Sequence, residues 1–129
     1  MKRTYIVTGK PATKKTSQRI VKNKAGRSFI IPSKLTSDWN REAIRQLKAQ
    51  HRGEPLTGEV VARYDVYRGA RRGDLSNFIS AIDDALQAAG VIGNDNQIVA
   101  IIANKLLDRE NPRVEIVLTS TMEEIDVDP

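Results

Sequence analysis

Asp74-Leu75-Ser76-Asn77-Phe78-Ile79-Ser80-Ala81-Ile82-Asp83-Asp84-Ala85-Leu86-Gln87-Ala88-Ala89-Gly90 is the stretch on which the fold turns. At about 100° per residue, Leu75, Phe78, Ile79, Ile82, Ala85, Leu86 and Ala89 fall inside an arc of about 120°, the apolar stripe of an amphipathic helix lying on a core. Asp74 complements the positive end of the helix dipole, and Gly90 suits the position just past the helix end. Upstream, from Glu59 to Arg68, Val60, Ala62, Tyr64 and Val66 alternate with Val61, Arg63, Asp65 and Tyr67, the pattern of a half-buried strand. Downstream, a turn cluster from Val91 to Gln97 leads into two further strands, Val99 to Leu107 and Arg113 to Thr119, joined by Asp108 to Pro112.

The residues before this unit extend the pattern. Thr4 to Thr8 is β-branched and aromatic, a short strand ended by Gly9 and Pro11, and a polar, Lys-rich loop follows. Arg19 to Lys22 and Arg27 to Ile31 flank Asn23-Lys24-Ala25-Gly26 as the arms of a hairpin that Pro32 closes. From Ser33 to Gln50 the period turns helical: Leu35, Trp39, Ala43 or Ile44, and Leu47 recur at three- and four-residue steps, and Gly53 with Pro55 enforces the stop. The order β-β-β-α-β-α-β-β predicts an α+β fold, a single domain over residues 1–129 with a mixed β-sheet and two α-helices packed on one face. Residues 1–37 form its basic strand and hairpin arm, and 122–129 an acidic, flexible tail.

Composition narrows the chemistry. A chain of 129 residues that is 40% hydrophobic supports one core. It has no cysteine, which excludes disulfide scaffolds, thiolate metal sites and cysteine nucleophiles. No apolar run approaches the ~20 residues of a membrane span, and no apolar stretch follows the basic Met1-Lys2-Arg3, so a soluble, cytoplasmic protein is expected. Residues 1–52 carry fourteen Lys and Arg against Asp38 and Glu42 alone. Residues 53–129 carry seven basic and fourteen acidic side chains, a segregation hidden inside the net charge of +5. Unscreened by interleaved acids, such a basic half attracts polyanions, and nucleic acid is the expected partner. Lys10, Lys14, Lys15, Arg19, Lys22, Lys24 and Arg27 are the candidate backbone contacts, with Arg71 and Arg72 beside the acidic segment. The bland alternative is a solvated face that neutralises the acidic half.

That segment holds the candidate chemistry. On the helix face turned away from the core, Asp74, Asn77, Ala81, Asp84 and Ala88 make one narrow stripe, two carboxylates and a carboxamide with only methyl groups between them. Asp95 follows in a turn. Hard divalent cations take a few such oxygens and keep water and substrate phosphate in their other positions. Read as structure alone, Asp74 is a helix cap, Asp83 and Asp84 are solvent-side residues, and Asp95 belongs to an Asx turn. His51 and Trp39 read as an exposed helix-end residue and a core residue, and Tyr67 as a surface aromatic.

Arg71-Arg72-Gly73-Asp74-Leu75-Ser76-Asn77, then Asp84-Ala85-Leu86, then Gly90 with Asn94-Asp95-Asn96-Gln97-Ile98, resembles RusA-type Holliday-junction resolvases in order and spacing. These are small Mg²⁺-dependent endonucleases of DNA recombination and repair, often encoded by phages and prophages. The resemblance implies that Asp74 and Asp95 are metal-binding catalytic acids with Mg²⁺ as cofactor and Mn²⁺ as substitute; Asp84 and Asn77, on the same helix stripe as Asp74, are read as the residues that support them. It also implies a homodimer that cuts opposed strands of a four-way DNA junction, with no organic cofactor and no membrane. Ser76 stands where the family's second Asp usually is, Ser80 where a Lys commonly assists, and Asn94 where the acidic pair begins. A descendant that binds DNA without cutting it is the alternative that these departures raise.

Overall fold

The computed structural model describes residues 1–13, 18–22, 24–32, 34–71, 73–122 and 125. The elements run β1 (Lys2–Thr8), β2 (Gln18–Lys22), β3 (Ser28–Pro32), α1 (Lys34–Gln50), β4 (Val60–Arg68), α2 (Leu75–Ala88), a 3₁₀ turn (Asp95–Gln97), β5 (Ile98–Leu107) and β6 (Arg113–Thr119). Four strands form a mixed sheet in the order β1-β6-β4-β5, with β4 and β5 parallel and the other pairs antiparallel. The basic hairpin β2–β3 is a separate two-stranded sheet rather than part of the main one. This is the expected α+β arrangement. The parallel pair exists because α2 is long enough to carry the chain back across one face of the sheet.

Register decides which residues face the helices. Ala62, Tyr64 and Val66 of β4 pair with Leu118, Ile116 and Val114 of β6, and Tyr5 and Val7 of β1 continue two of those rows. All eight are buried, together with Trp39, Ala43 and Leu47 of α1 and Phe78, Ile82 and Leu86 of α2. The opposite face departs from the expected polar alternation at its start: Val61, Arg63 and Thr119 are also buried. Arg63 is tolerated there because its guanidinium meets Asp65 at 3.1 Å, and Asn104 donates to the other Asp65 oxygen at 3.1 Å. Ile125 is buried as well, so the C-terminal segment touches the body at this point.

The edge of β1 is closed by side chains. Gln50 Oε1 accepts the Ile6 N–H at 2.8 Å while its Nε2 donates to the Ile6 carbonyl at 2.7 Å. Gln46 does the same for Thr8, at 2.8 and 3.2 Å. Four residues of helix rise about 6 Å, and two residues of strand span about 6.7 Å, so the two amides imitate a neighbouring strand. Among the described residues, no helix is long and apolar enough to cross a membrane.

Candidate active site

The N-terminal end of α2 is shaped by Gly73. Its φ of +91° is rare for residues with side chains, and a Cβ there would lie 2.6 Å from Cζ of Phe78. The buried Phe78 ring therefore packs directly on the backbone that delivers Asp74. Asp74 has extended backbone angles as the N-cap residue, and its carbonyl accepts the N–H groups of Asn77 and Phe78 at 3.1 Å. Its carboxylate does not cap the helix. Instead Asn77 Nδ2 lies 3.4 Å from Asp74 Oδ2, and the pair faces solvent.

Arg71, three residues before Asp74, and Lys105 bring cations to the same end. Arg71 is exposed in the preceding turn. The Lys10 stem passes over Gly69, within 3.5 Å of where a Cβ would stand. Lys105 of β5 brings Nζ to 3.4 Å from the Gly73 carbonyl. Lys24 and Arg27 are exposed at the tip of the hairpin. Arg19 and Lys22 belong to β2 by backbone, whereas Lys14, Lys15 and Arg72 lie outside the described residues.

Asp95 sits beyond the other end of α2 in a turn held from several sides. Asn94 Oδ1 accepts the Asn96 N–H at 2.8 Å, and the Gln97 side chain returns to the Asn94 N–H at 3.0 Å, a capping box. Gln97 uses its whole amide: Oε1 also accepts the Gly93 N–H at 2.8 Å, and Nε2 donates to the carbonyls of Leu56 and Gly58 at 2.7 and 3.0 Å. Gln87 of α2 accepts the Asp95 N–H at 3.1 Å. Gln97→Leu removes four hydrogen bonds and is expected to lower stability by about 2 kcal/mol, measured as a fall in urea midpoint at constant slope. An unchanged midpoint would mean that the turn is held without it.

Asp83 is a carboxylate on which the charge of Asp95 acts. It is half-buried, not a solvent-side residue, and accepts a 2.6 Å hydrogen bond from the hydroxyl of the fully buried Tyr64. Burial raises its pKa above the ordinary carboxylate value; the Tyr64 bond opposes that, and the like charges of Asp95 and Asp84 add to it. Burial, then the charge of Asp83 and its hydrogen bond, push the Tyr64 phenol far above its usual range. Asp84 is exposed. Ala81 of the anticipated polar stripe packs against the core, which breaks that stripe between Asn77 and Asp84. Ser76 and Ser80 lie on the flank of α2 that also carries Asp83, and both are exposed.

The predicted acids are thus distributed along the helix. Asp74 precedes Asp83 by nine residues, about 13 Å of axial rise, and Asp95 lies at the Asp83 end. Among the described residues, no group of three or more His, Asp or Glu side chains is placed to hold a metal ion. Sequence reasoning missed Asp83, whose apolar surroundings follow from the position of Tyr64 on the neighbouring strand. It also missed the role of Gln97, for which the Asn94-x-x-Gln97 spacing of a capping box was the available signal. The other candidates have structural partners. His51 bonds Tyr5 OH through Nδ1 at 2.8 Å and the Glu54 carbonyl through Nε2 at 2.8 Å. Tyr67 lies under Arg113, whose guanidinium carbon is 3.8 Å from the ring centroid. Trp39, by contrast, is buried and its Nε1 has no hydrogen-bond partner among the described residues.

A family model, endodeoxyribonuclease RusA, matches residues 9–119 of the chain. The chain is also similar to the crossover junction endodeoxyribonuclease RusA of Aquifex aeolicus (strain VF5), at 28% identity over 94 residues, 72% of this chain and 73% of that protein.

Proposed function

The chain belongs to the RusA endodeoxyribonuclease family, and from that premise we propose that it is a Mg²⁺-dependent endonuclease that resolves four-way DNA junctions by phosphodiester hydrolysis in the cytoplasm. The observation that carries the reading is the charge arrangement around α2. Its N-terminal end holds an exposed carboxylate, with Arg71 three residues upstream and Lys105 reaching the Gly73 carbonyl, and the turn that carries Asp95 is pinned beyond the other end by three side-chain amides. A scissile phosphate needs both signs together, cations to hold it and acids to organise the attack.

The donor set fits a hard cation. Asp74, Asn77 and Asp95 offer only oxygen and amide groups, no thiolate exists in the chain, and the one histidine is engaged elsewhere. Magnesium is held by one or two carboxylates plus substrate phosphate, so a larger protein cage is not required. Asp74 and Asp95 are the residues that hold it in this reading; the chemistry such an ion supplies is Lewis acidity toward the phosphate and a lowered pKa for water. Asn77 orients the Asp74 carboxylate through its amide, and Asp84 adds negative potential from the exposed side. Arg71 grips the scissile backbone with its fork, and Arg72 shares that role. Lys10, Lys14, Lys15, Arg19, Lys22, Lys24 and Arg27 track the flanking phosphates. Ser76 contributes a hydroxyl and no charge. The functional unit in this reading is a homodimer cutting two opposed strands, in which Asp74 of one copy and Asp95 of the other would share an ion, since the two lie at opposite ends of α2 within one chain.

The test is cleavage of a synthetic four-way junction against a linear duplex of the same arms, with Mg²⁺, with Mn²⁺ and after chelation. Paired nicks in the junction alone, lost on chelation, are expected. Tight junction binding without nicks under any metal would identify the non-catalytic descendant instead.

A further inference from the structure

We propose that Lys105 is a further catalytic residue, its ammonium touching the phosphate that is cut; this rests on the reading of the α2 N-terminus as part of the nuclease site. On β5 the residues facing the helices are Ile101, Ala103 and Lys105, in register with Ala62, Tyr64 and Val66 of β4. The first two pack against the core, and Val66 is fully buried. Alternation therefore asks for an apolar side chain at 105. A lysine stands there instead, exposed, its Nζ 3.4 Å from the carbonyl of Gly73, the residue that precedes Asp74.

The positive end of the α2 dipole repels the Lys105 ammonium. Among the described residues Lys105 forms no ion pair, whereas the ion-paired arginines Arg45, Arg63 and Arg113 all meet carboxylates. Among the described residues, its head group makes one weak hydrogen bond, to a carbonyl. A bound phosphate removes the conflict, because helix N-termini and ammonium groups attract the same anion. With Arg71 in the turn preceding Asp74 and Lys105 reaching in from β5, a phosphate at Asp74 is contacted from two elements. Lys105 acts there as a fixed point charge that offsets negative charge building on the attacked phosphate; no bond to its nitrogen forms or breaks.

The absence of cysteine makes a clean test possible. Lys105→Cys gives a protein with a single thiol. Reaction with 2-aminoethyl methanethiosulfonate restores a side chain of near-lysine length and charge, and propyl methanethiosulfonate restores the length alone. Single-turnover junction cleavage is expected to slow about 100-fold in Lys105→Cys and in Lys105→Met, while metal-free junction affinity changes less than about threefold, since one Lys among many phosphate contacts is lost. The aminoethyl adduct is expected to regain most of the rate and the propyl adduct none. Wild-type rates in Lys105→Met, or equal recovery with both reagents, would overturn the assignment and leave Lys105 a packing residue. If the wild-type chain cuts no junction at all, the nuclease reading fails first, and the Lys105 role goes with it.

Discussion

Junction cleavage falls by about 10³-fold when either Asp74 or Asp95 becomes asparagine, and junction binding does not fall with it. Asparagine keeps one oxygen and the size of the side chain while removing the charge that a divalent cation requires. Neither change threatens the fold. Asparagine is as good an N-cap as aspartate, and the Asp74 carboxylate makes no cap bond to lose. The Asp95 turn is held through backbone groups and the side chains of Asn94, Gln87 and Gln97. Removing the Asp95 charge also relieves Asp83, whose pKa it helps to raise. A lost rate therefore cannot be assigned to unfolding, and the urea midpoint of Asp95→Asn is expected to stay level or rise. Fewer negative charges should leave DNA affinity unchanged or stronger. The measurement is single-turnover cleavage beside a gel-shift titration in Ca²⁺. Full cleavage by Asp95→Asn would remove that residue from the site.

Gly73→Ala is expected to cost about 3 kcal/mol of stability, the sum of a left-handed backbone strain of about 1 kcal/mol and overpacking of about 2 kcal/mol. The added methyl would sit 2.6 Å from the Phe78 ring, which is 4% exposed and so cannot swing away without opening the core. Gly90 provides the control. Its φ of +75° imposes the same backbone strain, but nothing lies within 4 Å of its would-be Cβ, so Gly90→Ala should cost only about 1 kcal/mol. Urea unfolding of the two variants separates strain from collision. Adding Phe78→Leu to Gly73→Ala should give less than the sum of the two single costs, because the methyl then has room. Equal losses at 73 and 90 would show that the ring yields. Because Gly73 precedes Asp74 and its carbonyl meets Lys105, the alanine variant should also lose cleavage out of proportion to its remaining folded fraction.

How far the site could be read in advance differs from residue to residue. Asp74 at the helix start followed from periodicity and dipole, since local backbone physics sets both. Asp84 was favoured over Asp83 because helical spacing places it in line with Asp74 and Asn77. Spacing says nothing about what an adjacent strand presents, and Tyr64 reaches Asp83 through a 2.6 Å hydrogen bond although the intervening chain, fully extended, would span about 65 Å. The strand Val60–Arg68 showed its alternation plainly, yet Arg63 is buried on the face expected to be polar. Pairing with Asp65, two residues away, makes that burial tolerable.

Element type and order were determined by the chain itself, because apolar period, glycine and proline act through neighbours a few residues apart. The segregation of charge was equally plain, being a property of composition. Only the assembled structure decided which edge of the sheet is closed by Gln46 and Gln50, which aspartate meets the buried Tyr64, and which lysine arrives at the Gly73 carbonyl. Each of these depends on register between strands and helices far apart in the chain, where a shift of one residue turns a side chain to the opposite face.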